Sequence, residues 1–352
     1  RLSLILGKIV ASHKQNLPFV CFNKPNTTLL KGYFGKDSNV RYSNSFKEEG
    51  FVFAPFNNEN PAIIFLNKTF EIVEGLYENK ATIVSKKKYE NLSSDKEKHL
   101  KLVRSGIDAI QNKNFTKVVL SRKEIVHTTA IDVLEVFERL LQKYQNAFVY
   151  VWFHPKVGLW MGATPEKLVT LQNGKFHTTA LASTQTYKDN LNPVWGNKEK
   201  KEHQYVVDYI VSQIKDQQNG IILKNFTVSD TYTVKAGNLL HLKADIIGVI
   251  GDFELKKLLD TLHPTPAVCG LPKESSKSFI LANENYDRTY YTGFLGEINV
   301  DLETALYVNL RCVEIVGTTA IIYVGGGITL ESIPENEWSE TSNKTFTIKS
   351  IL

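Results

Sequence analysis

The dipeptide Asn173-Gly174 places the tightest constraint on how this chain can fold. Both residues accept the left-handed backbone that a two-residue hairpin turn demands. They separate Lys167-Leu-Val-Thr-Leu-Gln172 from Lys175-Phe-His-Thr-Thr-Ala180, two runs of strand composition. Strands joined by so short a turn pair antiparallel. Similar punctuation recurs: Leu17–Phe22, Thr27–Phe34, Gly50–Phe56 and Pro61–Leu66 read as hairpin-linked strands, followed by Phe115–Ile125, Phe148–Phe153, Gly158–Met161 and Leu239–Ile250. Leu306–Ile315 reads as one strand carrying Arg311, and Ala320–Val324 as a strand that ends in Gly325-Gly326-Gly327. Helices are interspersed. A capping box at Ser94–Glu97 opens one whose stripe is Leu100, Val103, Ile107 and Ile110. Val133–Tyr144 and Glu202–Lys215 form two more. Ser332–Lys344 reads as a short last helix, with Ser332 and Glu335 as its capping box and Pro334 in its first turn. Hairpins without regular βαβ alternation predict an α+β class with antiparallel sheets.

Composition narrows the function. The 352 residues are 42% hydrophobic, enough for a packed core, yet no apolar run approaches the roughly 18 residues of a membrane span. The net charge of +5 comes from 42 basic against 37 acidic residues. Its clusters, Lys86–Glu90 and Lys198–Glu202, mix both signs and read as solvated faces, so no nucleic-acid partner is expected. Cys21, Cys269 and Cys312 lack metal-ligand spacing and fit reduced cytoplasmic thiols. Arg1–Lys8 reads as the start of a folded segment and not as a signal peptide; without an initiator Met the native N-terminus stays open. No linker divides residues 1–352, so one domain is expected.

Several residues could carry chemistry. Lys117 shares a strand face with Val119 and Ser121, where a lysine serves as a base or as an edge gatekeeper. Glu166 follows the turn Gly162-Ala-Thr-Pro165 and could point into a cleft or into solvent. Glu202 aligns with Val206, Ile210 and Ile214 on a helix face, so its carboxylate needs a structural partner or a metal. Glu337, Glu340 and Lys344 fall near one helix face; oxygen ligands of this kind suit Mg²⁺, and an ordinary Glu340–Lys344 pair is the alternative. Gly325, Gly326 and Gly327 allow positive φ and close approach of an anion. His263-Pro-Thr-Pro-Ala-Val268 is a rigid loop.

Taken in order, these segments resemble the chorismate-utilising enzymes, and among them the isochorismate synthases. The match runs from about Ser94 to Leu352; residues 1–90 match only loosely, as hairpins. It rests on Lys117–Arg122, Gly162–Glu166, Glu202-His203, His263–Val268, Arg288–Gly296, Arg311-Cys312, Gly325–Ile328 and Glu337–Glu340 with Lys344. The resemblance implies two large antiparallel sheets facing each other, helices outside, an active site between the sheets, and dependence on Mg²⁺. It implies that Lys117 is the base for water attack at C2 of chorismate and Glu166 the acid that protonates the departing C4 hydroxyl. Glu202 and Glu340, with Glu337 close by, become metal carboxylates. Tyr291, Arg311, the backbone of Gly325 to Gly327, Lys344, His263, Ala267 and Thr184 become substrate contacts. Ser183 and Gln185 depart from the family, which often has Gly and a basic residue there. Lys117 favours water over ammonia as nucleophile, against the anthranilate and aminodeoxychorismate synthases. The loop around Ala267 and Val268 favours isochorismate over salicylate formation. A monomer or weak dimer acting on a small molecule is expected; quinone and siderophore biosynthesis both use isochorismate.

Overall fold

A computed structural model describes residues 2–78, 93–128, 130–216, 223–236, 239–251 and 254–352. Their strands form two antiparallel sheets. The first contains β1 (Phe19–Asn23), β2 (Leu29–Phe34), β6 (Glu71–Leu76), β7 (Lys117–His127), β8 (Phe148–His154), β9 (Gly158–Thr164), β15 (Gly270–Leu271), β18 (Cys312–Val316) and β19 (Thr319–Ile328). The second contains β3 (Tyr42–Ser43), β4 (Gly50–Ala54), β5 (Ala62–Leu66), β10 (Lys167–Gln172), β11 (Lys175–Thr186), β12 (Leu223–Val228), β13 (Tyr232–Ala236), β14 (Leu239–Ile250), β16 (Phe294–Val300) and β17 (Glu303–Val308). The helices are α1 (Leu2–Lys14), α2 (Ser93–Gln111), α3 (Val133–Lys143), α4 (Asn197–Lys215), α5 (Leu255–Leu262), α6 (Lys273–Asn283) and α7 (Pro334–Lys349). Among the described residues no helix is long and apolar enough to cross a membrane.

Alternation along the strands sorts the core into layers. On β1, Phe19 and Cys21 pack outward with α1 and α3, while Val20 and Phe22 face the other sheet. On β8, Val149 and Val151 point out and Tyr150 and Trp152 point in. On β4, Phe51 and Phe53 point in, whereas Val52 and Ala54 join the aliphatic layer under α4 and α5. Aromatic side chains therefore fill the space between the sheets and smaller aliphatic ones seat the helices. Trp152 lies 4.5 Å from Phe53 and 5.3 Å from Phe65, ring centre to ring centre. Such pairs add about 0.5–1.5 kcal/mol each beyond the area they bury.

The turn at Asn173-Gly174 joins β10 to β11 with both residues in the left-handed region, φ 51 and 72. Elsewhere the structure corrects the sequence reading. The chain opens with α1, a helix among segments read as hairpins. Leu306–Ile315 is two strands in different sheets: β17 ends at Val308, β18 begins at Cys312, and Arg311 sits at the step with φ 48. The buried Asn309 side chain fixes this break, accepting from the Tyr150 hydroxyl (2.6 Å) and donating to the Tyr290 carbonyl (2.9 Å). Apolar residues on both sides hid it. Gly325 to Gly327 do not end a strand; they lie inside β19, paired with Ser121, Leu120 and Val119 of β7 and without positive φ. The last helix runs to Lys349, and Ser332 does not cap it; its hydroxyl accepts from the Thr329 amide at 3.1 Å. The side chain of Ser94 lies outside the described residues, as do Lys86–Glu90, whereas Leu100, Val103 and Ile110 of α2 are buried as expected.

A buried ion pair ties these parts together. Arg288 grips Glu284 through Nε (2.8 Å) and Nη2 (2.6 Å), and also donates to the carbonyls of Val268 (2.9 Å) and Val119 (2.8 Å). Glu284 in turn accepts from the Ser121 amide of β7 at 2.7 Å. One guanidinium thus joins β7, the His263–Val268 loop and the segment after α6. Arg288→Ala would leave the Glu284 carboxylate buried and uncompensated, which typically costs about 3–5 kcal/mol. Urea unfolding should show a loss of that size, and a change below about 1 kcal/mol would remove Arg288 from this role.

Candidate active site

Two steps between the sheets run side by side. One links β9 to β10 through Pro165 and Glu166; the other links β17 to β18 through Arg311. The Val308 amide donates to the Glu166 carbonyl (2.9 Å) and the Ala163 amide to the Arg311 carbonyl (3.2 Å). This pairing delivers Glu166 and Arg311 to one cleft, walled also by Thr184, Glu202, Ala267, Tyr291, Glu340, Lys344 and the glycines of β19.

The Glu166 side chain is 4% exposed. Burial pushes its pKa up to about 8, against the pull of Lys117 and Arg311. It therefore carries a proton at neutral pH. Arg311 is lowered by burial to about 10 and stays a cation. Its Nη2 donates to His241 Nε2 at 2.5 Å, so the proton of that imidazole belongs on Nδ1, which donates to the Ser183 carbonyl at 3.0 Å. Burial, then Arg311 and Lys344, hold His241 well below its usual range, which keeps it neutral. A fixed cation beside a protonated carboxyl can hold an anion and hand it a proton.

Opposite them three carboxylates converge, each paired with a lysine. Lys117 Nζ lies 3.0 Å from Glu202 Oε1, Lys198 Nζ lies 3.2 Å from Glu337 Oε1, and Lys344 Nζ lies 2.7 Å from Glu340 Oε1. Gly327 makes room for one of them, and Gly326 lies in ordinary contact distance of the other two. A Cβ on Gly327 would stand 2.6 Å from Glu202 Oε1, and one on Gly326 would meet Glu337 Oε2 and Glu340 Oε1, each at 3.6 Å. Burial would raise the Glu202 carboxyl, but Lys117, with Lys344 and Lys198, outweighs it and the pKa falls. Glu337 is raised, first by burial and then by the neighbouring Glu340. Among the described residues no three His, Cys, Asp or Glu side chains already stand as a metal-ligand cluster. The oxygen donors and the mutual repulsion of Glu337 and Glu340 nevertheless suit a hard divalent cation, provided that a lysine yields its place.

Not every expected residue reaches the cleft wall. Lys117 and Glu337 lie just behind it, joined to it through Glu202 and Lys198. His263 turns away: Nε2 donates to the Thr292 carbonyl at 2.8 Å and the ring packs edge-on against Phe294, at the base of a separate cavity. Its place in a Pro-flanked loop carries no period that would say which way the ring points. The cluster Lys198–Glu202 is a solvated face only in part: Lys200 and Lys201 are exposed, whereas Lys198, Glu199 and Glu202 line the cleft. Ser183 sits at φ 61, where glycine is the easy choice, and its hydroxyl donates to the Glu199 carbonyl (2.7 Å) and reaches Glu202 Oε2 (3.3 Å). Gln185 instead bonds the Val194 carbonyl at 3.1 Å. His241 was missed altogether. Its signal, a single imidazole in an apolar strand, also fits an ordinary core residue.

The family description "Chorismate binding enzyme" matches residues 57–352. The chain belongs to the chorismate-binding enzyme family. Among relatives of known name, the vibriobactin-specific isochorismate synthase of Vibrio cholerae is 26% identical over 308 residues, covering 85% of this chain and 78% of that protein. Isochorismate synthase 2, chloroplastic, of Arabidopsis thaliana is 29% identical over 266 residues; the match covers 69% of this chain and 44% of that longer protein. The solved structure of DhbC from Bacillus anthracis superimposes with a TM-score of 0.81 at 22% identity, covering 98% of this chain and 99% of its own. The chorismate-binding fold thus extends over the N-terminal hairpins that carried little sequence likeness.

The raised pKa of Glu166 has a measurable consequence. The folded chain keeps a proton that the unfolded chain releases near the ordinary carboxyl value of 4.5. The folded state thus binds the extra proton, and its stability falls as pH rises from about 4.5 to about 8. Glu166→Gln stays neutral throughout, so its stability relative to wild type should increase across that window and level off above it. Urea unfolding near both ends of the window reads this; a constant difference would place Glu166 in a solvated setting.

Proposed function

We propose that this chain is an isochorismate synthase, converting chorismate to isochorismate. The observation that carries the reading is a buried carboxyl, Glu166, in the same cleft as the Arg311–His241 pair, where burial raises its pKa. Water attacks C2 of the ring and gives its proton to the Lys117 amine. The ring double bonds shift, the C4–O bond breaks, and Glu166 donates its proton so that the hydroxyl leaves as water. Atoms balance as an isomerisation, and proton exchange with solvent resets both groups.

Arg311, oriented by His241, holds a substrate carboxylate, with Lys344 and the backbone of Gly325 to Gly327 beside it. Tyr291, Ala267 and Thr184 shape the pocket around the rest of the ring. Glu202 and Glu340, with Glu337, would hold Mg²⁺. When bound, that ion supplies the positive charge that neutralises the ring carboxylate. Buried unpaired thiols at Cys21, Cys269 and Cys312 fit the reducing cytoplasm, where we place the enzyme.

The test is direct. Chorismate and Mg²⁺ incubated with purified protein should give isochorismate on chromatography. Lys117→Ala and Glu166→Gln should each lower kcat roughly 10²–10⁴-fold while the far-UV spectrum is retained. Salicylate, an aminated product in the presence of ammonia, or no turnover would each reject the assignment.

A further inference from the structure

We propose that Lys198 is a resident stand-in for the divalent cation: its ammonium occupies the carboxylate cluster in the metal-free protein and leaves when the metal enters. This exchange rests on the metal site proposed above.

The three lysines of the cluster are not equivalent. Lys117 is 1% exposed at the start of β7. Lys344 is held on α7 by a second bond, to the Gly325 carbonyl at 3.0 Å. Among the described residues Lys198 Nζ bonds Glu337 alone, at 3.2 Å. Its side chain is 36% exposed in the first turn of α4, while the Glu337 side chain it reaches is 4% exposed. The lysine can therefore swing into solvent by side-chain rotation, and the carboxylate cannot.

Electrostatics agree with this division. Burial works against the Lys198 ammonium, but Glu337, then Glu202 and Glu340, raise its pKa. One flexible cation thus lies in the field of all three carboxylates that the metal would use. Without it, Glu337 loses its lysine partner beside Glu340, which keeps Lys344. A divalent ion satisfies the same oxygens with twice the charge, and an ammonium beside it is repelled. Lys198 would then keep the empty cluster folded and set how tightly the metal must bind to displace it.

Isothermal titration of the full chain with Mn²⁺, a hard cation suited to carboxylate oxygens, tests this. Lys198→Met removes the competitor and should tighten Mn²⁺ binding on the order of tenfold, the worth of one charge-assisted hydrogen bond. Lys198→Arg keeps a cation and should stay near wild type. In EDTA the Met variant should melt below wild type, and the difference should close with saturating Mn²⁺. Unchanged or weaker Mn²⁺ binding by Lys198→Met overturns the exchange, as does an equal melting deficit with and without metal. Glu340→Gln separates the two ideas. If it binds Mn²⁺ as wild type does, or wild type binds none, the metal site itself fails. If it loses binding while Lys198→Met gains nothing, the site stands and only the exchange falls.

Discussion

The two steps between sheets, lying against each other at Glu166 and Arg311, set the conditions for everything else in the cleft. A backbone passing from one sheet to another must satisfy its own N–H and C=O groups away from either ladder. Here each step answers the other, through the Val308–Glu166 and Ala163–Arg311 bonds. Asn309 closes the remaining gap with Tyr150 and Tyr290. An acid and a cation are thereby brought to one place by main-chain geometry, with no dependence on flexible loops. Rigid placement of this kind is what general acid chemistry and anion binding require.

Charge is handled differently on the two sides of the cleft. On one side burial dominates: Glu166 keeps its proton and His241 loses the tendency to gain one. On the other, pairing dominates, and Glu202 stays ionised despite its burial because Lys117 lies 3.0 Å away. Gly327 of β19 makes the second arrangement possible, since a side chain there would occupy the space of the Glu202 carboxylate. Cations and anions are thus balanced locally.

Much of this was legible in the chain, and the failures have physical causes. Strand periodicity and the Asn173-Gly174 turn gave the antiparallel pairs, and spacing by four put Glu202 on the inward face of α4. Periodicity could not find the break at Arg311, because both flanking strands are buried and the apolar run continues across it. It could not separate Lys200 and Lys201, which face water, from Lys198, Glu199 and Glu202, which face the cleft, because a mixed charge run has the same composition either way. His263 and His241 exchanged expectations for a related reason: one imidazole in a rigid loop and one in an apolar strand give no directional signal.

Local residue chemistry alone determined where strands begin and pair, which helix faces are apolar, and which side chains are capable of acid, base or metal-binding work. Those properties depend on neighbours within a few positions, and sequence records them directly. Only the tertiary structure decided that burial raises the Glu166 carboxyl, that Arg311 leans on His241, and that Lys117 and Lys198 pair with Glu202 and Glu337. Each of these depends on burial or on groups 70 to 139 residues apart, quantities that exist only once the two sheets have closed on each other.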